Sequence, residues 1–314
     1  MHYRAERHVV TLDDGDRVVL HDDRPPDWRA SDRSVLLIHG LAGSHESGYM
    51  QRISRHLNAR GIRAFRLDLR NCGAGVGLAK LPYHSGRSED AAAALEAIAR
   101  LAPDSPATLV GFSLGANITL KLLGELAGRP CGQLDSAVAV CPPTDLAACS
   151  RRISLSTNRL YDRYFVSRLL RQLRSARFTQ GAVPRRVPRT LWEFDDTFTA
   201  VVCGFGTAED YYSAASSAPL ISRIAIPTLI LASRDDPMIP SSTLEEMAMP
   251  PAVELRLTDH GGHLGFVGRR GVDADRRWMD WRVVDWVACR APAGVLHARH
   301  VPGPGNARSA QPGG

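Results

Sequence analysis

Leu109-Val110-Gly111-Phe112-Ser113-Leu114-Gly115-Ala116-Asn117 is the stretch whose reading decides the fold. An apolar run ends at Gly111 and a helical pattern starts just past Ser113, so the segment reads as strand, sharp turn and helix. A serine at the apex of such a turn sits in strained backbone with its hydroxyl projecting from the sheet edge, the nucleophile elbow of the form G-x-S-x-G. Gly111 and Gly115 then have steric jobs, because side chains there collide where strand and helix fold back on each other. The same pattern also describes an ordinary strand-to-helix turn with a capping serine, so the remainder of the chain has to decide.

Outward from the elbow, strand-like and helix-like segments alternate. On the N-terminal side, residues 9–12 and 17–21 flank Asp13-Asp14-Gly15-Asp16, a hairpin turn that implies an antiparallel edge. Residues 34–38 form a continuous apolar run of the kind buried on both faces of a parallel sheet, ending in His39-Gly40-Leu41-Ala42-Gly43. A helical pattern covers 47–60. A further strand at 64–69 opens into a glycine-rich loop at 70–77, which lacks phosphate-binding spacing and reads as a flexible turn. Ser85 or Ser88 is placed to cap a helix running to Leu101, with Glu89 and Asp90 at the positive end of its dipole. On the C-terminal side, 136–141, 228–231 and 253–257 are strands, and a helix with Trp278, Trp281 and Trp286 closes the domain.

After Pro143 the alternation of strand and helix is suspended until Pro227. Residues 144–215 are mostly helical, and 158–174 places Tyr161, Phe165, Leu169 and Leu173 at steps of four, backed by Leu160 and Tyr164. The expected organisation is therefore an α/β core with a mostly parallel central sheet flanked by helices, in two parts (1–143 and 216–290). A helical lid insert (144–215) interrupts it, and a disordered tail (291–314) follows. The polar side of the 158–174 helix carries Arg163, Arg171 and Arg174; a cap helix with solvated arginines is the favoured reading over peripheral contact with anionic lipid.

Composition narrows the function classes. The 314-residue chain is 44% hydrophobic and 23% charged, ordinary for a globular protein. Its net charge of +6 and pI near 9.2 come from arginine, Lys80 and Lys121 being the only lysines, and the cations are not interleaved with aromatics, which argues against nucleic acid as a partner. No apolar stretch has the length of a membrane span, and the first seven residues lack the apolar core of a secretory signal, so the expectation is a soluble cytoplasmic protein. The six cysteines are scattered and read as free thiols, and no histidine or carboxylate cluster has metal-ligand spacing; neither a metal nor a cofactor is expected.

Parallel sheets place their chemistry at the carboxyl ends of the strands. Three ends supply Ser113, the pair Asp235-Asp236, and Asp259-His260-Gly261-Gly262-His263, in the chain order Ser, Asp, His. Serine needs an imidazole to accept its proton, and the imidazole needs a carboxylate to fix its tautomer and stabilise its cation. A fourth end, His39-Gly40-Leu41, brings backbone close to the reacting carbonyl; the Leu41 and Leu114 N–H groups are the candidate oxyanion hole.

With these motifs in place, the chain resembles the YheT-like branch of α/β-hydrolases, which includes the mammalian ABHD1, ABHD2 and ABHD3 group. The resemblance runs from about residue 34 to 289 and rests on His39-Gly40-Leu41 with Gly43-Ser44, Tyr83-His84-Ser85-Gly86 with Glu89-Asp90, and the elbow with Asn117. It continues through Asn158-Arg159-Leu160-Tyr161, Glu193-Phe194-Asp195-Asp196 with Phe198-Thr199-Ala200, and Glu209-Asp210-Tyr211-Tyr212. Asp235-Asp236-Pro237 and Gly261-Gly262-His263-Leu264-Gly265-Phe266 complete it. It implies a carboxylic ester hydrolase acting on acyl substrates, some relatives hydrolysing lipids and others transferring acyl groups to alcohols. Asn71 departs from the glycine usual after the arginine, and the transmembrane anchor of the mammalian relatives is missing from the sequence, which favours a short- or medium-chain ester.

Single residues follow from this. Asp236, directly before Pro237, is preferred to Asp235 as the acid, and His263, behind two glycines, to His260; Asp145 reads as a helix cap and His84 as structural. Tyr161, Phe165, Trp192 and Tyr212 are the lid side chains expected to meet a small-molecule ester substrate. An acyltransferase sharing the acyl-enzyme and a non-catalytic binding protein on the same fold are the alternatives.

Overall fold

The computed structural model describes residues 5–175 and 186–291. Its centre is an eight-stranded sheet in the order β1-β2-β4-β3-β5-β6-β7-β8. The strands are β1 (Glu6–Thr11), β2 (Arg17–Asp23), β3 (Ser34–Ile38), β4 (Arg63–Asp68), β5 (Ala107–Phe112), β6 (Leu134–Val140), β7 (Thr228–Ser233) and β8 (Val253–Thr258). β2 runs antiparallel to β1 and β4, and every other pairing is parallel. The expected hairpin is there, with Gly15 at φ +82° in its turn.

The parallel strands read as unbroken apolar runs because both faces are covered. In β3, Val35 and Leu37 pack toward α1 (Gly48–Asn58) and α10 (Trp278–Ala288), sharing a core with Met50, Ile53, Val283 and Val287. Leu36 and Ile38 point the other way, into a core with Leu95 and Ile98 of α2 (Ser88–Leu101) and Ile118 and Leu122 of α3 (Leu114–Leu126). The alternation of side chains along one strand thus divides the interior into two layers.

Between β6 and β7 come α4 (Leu146–Ile153), α5 (Arg159–Ser175), α6 (Leu191–Phe194), a π-helical turn (Asp195–Thr199), α7 (Ala200–Val202) and α8 (Ala208–Ala215); α9 (Ser242–Glu245) follows β7. Residues 176–185 of this excursion and all of the expected tail but Ala291 lie outside the described residues. Asp145 caps α4, accepting from the Ala148 N–H at 2.9 Å. The helix at 88 is a correction: neither serine caps it. Arg87 is its N-cap residue, the Ser88 hydroxyl donates to Glu125, and the Ser85 hydroxyl accepts from Tyr211. These distant partners outcompete the local cap.

Buried polar side chains tie the strand ends together. Arg70, 1% exposed, donates to both Asp90 oxygens at 2.7 and 2.6 Å, to Asp16 at 2.9 Å and to Asp14, joining the end of β4 to α2 and to the hairpin turn. The loop after Arg70 is held where a flexible turn is expected. Asn71 adopts φ +57°, a conformation asparagine tolerates, donates to the carbonyls of Ala79 and Leu81, and accepts from the Gly77 N–H.

The elbow forms between β5 and α3, with Ser113 at φ +52°. A side chain on Gly111 would run into the Gly115 carbonyl and the Thr119 hydroxyl, and a Cβ on Gly115 would stand 2.5 Å from the Ile38 carbonyl oxygen and 2.7 Å from that of His39. Both obstacles at Gly115 are backbone, so relief requires β3 and α3 to separate. We expect Gly115→Ala to lower unfolding free energy by about 1–3 kcal/mol, the usual cost of overpacking. Denaturant titration followed by circular dichroism measures it, and unchanged stability contradicts the steric role.

Candidate active site

Ser113, Asp236 and His263 come from three strand ends and meet. The Ser113 hydroxyl lies 2.9 Å from His263 Nε2, and His263 Nδ1 lies 2.8 Å from Asp236 Oδ2. A carboxylate only accepts, so Nδ1 carries the proton and Nε2 is left to accept from the serine hydroxyl. Asp236 is 2% exposed and its other oxygen accepts from the Met238 and Ile239 N–H groups at 2.8 and 3.1 Å. These amides fix the carboxylate and compensate for its burial. The set provides a proton acceptor for the serine and a fixed anion behind the cation that results.

The neighbouring Asp235 has a different job. It accepts from the Gly261 and Gly262 N–H groups at 2.8 and 2.7 Å and from the Ser233 hydroxyl, clamping the loop that delivers His263. The Ser233 bond first, then the glycine amide, pulls its pKa down to about 2. His260 is exposed, with its Nδ1 3.4 Å from Asp235, and is not among the residues lining the cavity at Ser113. Gly261 is needed for close approach, since a Cβ there would lie 2.5 Å from the Phe266 ring.

Gly40 lets backbone pass next to Ser113, a Cβ at that position falling 3.1 Å from Ser113 Cβ. The amides on either side of Leu41 are occupied: the Gly40 N–H donates to the Tyr49 hydroxyl at 2.9 Å and the Ala42 N–H to the Tyr83 hydroxyl at 2.8 Å. Leu41 lines the cavity with Ser113, Leu114 and His263. The Leu41 and Leu114 amides have no protein acceptor among the described residues, and both residues line the cavity with Ser113. His39 supports the turn, its Nδ1 donating to the Gly40 carbonyl at 2.8 Å and its Nε2 accepting from the Leu69 N–H at 3.3 Å. Burial holds this imidazole neutral by lowering its pKa.

Tyr49 and Arg152 carry no mark in the sequence, and Tyr83 and Asn158 stand in the family-like motifs without a role that the motifs reveal. The Arg152 and Asn158 side chains donate to the Pro237 carbonyl at 3.2 and 2.6 Å and anchor the Asp236 loop to the helical excursion. No local pattern marks these roles, because each partner is distant in sequence.

An inner cavity opens from Ser113, walled mainly by apolar side chains including Leu146, Ile153, Leu169, Phe194, Phe198 and Ile239. Of the expected lid contacts, Phe165 and Tyr212 line it. Tyr161 lines the outer groove at the mouth, which Phe165 also borders. Trp192 is not among the lining residues. It lies a layer behind, its ring centroid 5.2 Å from that of Tyr212, packed with Leu146 and Ala200. His84 borders the cavity between Phe205 and Tyr211, and burial, then the Arg87 and Arg70 charges, pushes its pKa down to about 3.

Four of the six cysteines are buried, Cys203 is half-buried and Cys289 exposed. His21, His45 and Asp68 gather beside the segment that follows Leu41, the two rings stacked 3.4 Å apart with planes 7° from parallel. Parallel rings keep their lone-pair axes from converging on one point, so the trio suits a shared carboxylate better than a metal ion. Asp68 accepts from His21 Nε2 at 2.9 Å and from the His45 and Ala74 N–H groups at 2.7 and 2.8 Å. It thereby braces the segment after Leu41.

Comparison with known proteins follows the geometry. A family model described as the alpha/beta hydrolase fold matches residues 33–269. The chain is 34% identical over 285 residues to the putative esterase YheT of Escherichia coli, covering 88% of this chain and 83% of that one. It is 27% identical to human phospholipase ABHD3, covering 84% and 67%. Among solved structures, the Pyrococcus furiosus esterase Pf2001 superposes with a TM-score of 0.61 at 17% identity, covering 91% of this chain and 90% of the other.

One buried acid in the cavity wall has no role in the serine relay. Asp195 accepts from Tyr212 and Thr199 hydroxyls at 2.7 Å each, and burial raises its pKa from 3.8 to about 6. The folded protein therefore holds this proton more tightly than the unfolded chain does. The stability it contributes is full below the unfolded value of 3.8 and is lost as pH rises through about 6. Relative to the parent, Asp195→Asn should gain up to about 3 kcal/mol between pH 4 and pH 7. Urea unfolding at both pH values tests it, and a constant difference between the two proteins contradicts the raised pKa.

Proposed function

The chain belongs to the α/β-hydrolase family, in the YheT-like branch, and is a carboxylic ester hydrolase; from that premise we propose that it works through an acyl-enzyme on Ser113. The observation that carries this reading is the unbroken line of hydrogen bonds from Ser113 through His263 to Asp236, at 2.9 and 2.8 Å.

Ser113 Oγ attacks the ester carbonyl carbon while His263 Nε2 takes its proton, and Asp236 stabilises the imidazolium that forms. The carbonyl oxygen becomes an oxyanion held by the Leu41 and Leu114 N–H groups, donors worth roughly 3–4 kcal/mol each to such a transition state. The intermediate collapses, His263 gives the proton to the departing alcohol, and the acyl group stays on Ser113. Water then repeats the sequence against the acyl carbonyl, and the carboxylic acid leaves.

The apolar inner cavity receives the acyl chain, with Phe165 and Tyr212 against it, Tyr161 at the mouth and Trp192 backing Tyr212. This supports short- to medium-chain or lipid-like esters as substrates. It agrees with the activities in the names of two relatives, human phospholipase ABHD3 and the Saccharomyces cerevisiae monoacylglycerol lipase, the latter with 56% of its length matched.

Turnover of p-nitrophenyl esters graded from acetate to dodecanoate tests the proposal. Ser113→Ala should lose about 10⁶-fold in kcat and Asp236→Asn about 10⁴-fold, with circular dichroism unchanged. Phe165→Ala should move the optimum to longer chains. Near-parental turnover by Ser113→Ala contradicts the acyl-enzyme, and an unmoved optimum contradicts the assignment of the acyl site.

A further inference from the structure

The helix at the mouth of the site presents an unusual outer surface. α5 buries Asp162, Val166 and Leu169 on one side and turns Arg159, Leu160, Tyr161, Arg163, Tyr164, Arg171 and Arg174 to the exterior. Leu160 is 80% exposed, Tyr164 56% and Tyr161 44%, and Leu155, just before the helix, is 53% exposed. At 100° per residue, Leu160, Tyr164 and Tyr161 occupy one arc, with Arg163 and Arg174 on its flank. The acid of this helix, Asp162, is buried and accepts from the Leu191 N–H at 2.6 Å, and among the described residues Arg159 and Arg163 form no ion pair. The sequence reading treats this helix as packed over the core with solvated arginines. The packed side is present, and the exposed side carries large apolar groups as well.

Position adds to chemistry. Leu160, Tyr161 and Tyr164 line the outer groove that also reaches Ser113 and His263, and the apolar cavity continues inward from there. Tyrosine and leucine among arginines is the composition of a surface that lies in the headgroup region of a bilayer. No helix among the described residues is long and apolar enough to cross a membrane, so contact of this kind is peripheral.

We propose that the exposed side of α5, with Leu155, docks on an anionic phospholipid surface and sets the mouth of the Ser113 site against it. The apolar tips enter the headgroup layer and the arginines meet lipid phosphates. Two weak signals together give reversible binding that neither gives alone. Across the groove Glu46 is an exposed acidic lining residue, and its repulsion by the same surface leaves the α5 lip as the side that engages. The proposal deepens the esterase reading, resting on it only for what the docked site does.

Flotation with phosphatidylcholine vesicles, with and without phosphatidylglycerol, tests it on Ser113→Ala, so that binding is read apart from hydrolysis. Binding should appear with phosphatidylglycerol, fall with added salt, and weaken about fivefold for each arginine reversed in Arg159→Glu and Arg163→Glu. It should also fall at least about tenfold in Leu160→Glu. Introduced separately into the parental chain with Ser113 intact, the same two arginine substitutions should leave hydrolysis of a water-soluble acetate ester at the parental rate, showing that they do not disturb the fold. Absence of binding to the anionic vesicles overturns the proposal, as does binding indifferent to Leu160→Glu. Concentration-dependent dimerisation abolished by Leu160→Glu also overturns it, because a second copy then covers this side of α5.

Discussion

Ser113 stands in a backbone conformation that side chains rarely adopt, and the architecture is arranged to make that conformation unavoidable. Its φ of +52° is held because β5 and α3 fold back closely enough that Gly111 and Gly115 leave no room for a Cβ, and Gly115 lies against the carbonyl oxygens ending β3. The parallel pairing of β3 with β5 sets that distance, with Ile38 beside Gly111. Sheet register, two glycines and one strained serine thus form a single constraint. The strain is offset by the packing of two apolar layers around the sheet, and its product is a hydroxyl lifted clear of the strand toward His263.

Everything else at the site is a matter of occupying the right hydrogen-bonding groups. Two adjacent aspartates divide the labour. Asp236 points at the imidazole while amides hold its far oxygen, and Asp235 turns the other way to clamp the loop that carries the imidazole. Near Leu41, tyrosine hydroxyls take the flanking amides, and the Leu41 amide between them has no protein acceptor among the described residues. The helical excursion contributes more than cavity wall, since Arg152 and Asn158 grip the Pro237 carbonyl.

Much of this was legible before any coordinates because the decisive signals are local. An apolar run ending in Gly111-Phe112-Ser113-Leu114-Gly115 carries strand, turn and steric demand within one short segment, and parallel topology brings later strand ends to the same edge. Ser113, Asp236 and His263 were readable for that reason. The roles of Tyr49, Tyr83, Arg152 and Asn158 were not, because a hydroxyl, amide or guanidinium reaching a distant backbone group leaves no periodic trace. The serines before α2 failed as caps for a related reason: Tyr211 and Glu125, far along the chain, claimed their hydroxyls. Trp192 followed the aromatic pattern of the excursion yet packs behind Tyr212, a distinction that depends on tertiary packing alone.

Among many serine hydroxyls, that of Ser113 lies 2.9 Å from an imidazole whose other nitrogen is 2.8 Å from a buried carboxylate. The most direct measurement is titration of the intact protein with a fluorophosphonate, reading residual ester hydrolysis and mapping the adduct by peptide mass spectrometry. The prediction is one phosphonyl group per chain, on the Ser113 oxygen, with activity falling in proportion to its appearance. Complete inactivation with Ser113 unmodified, or full activity with Ser113 modified, would contradict it.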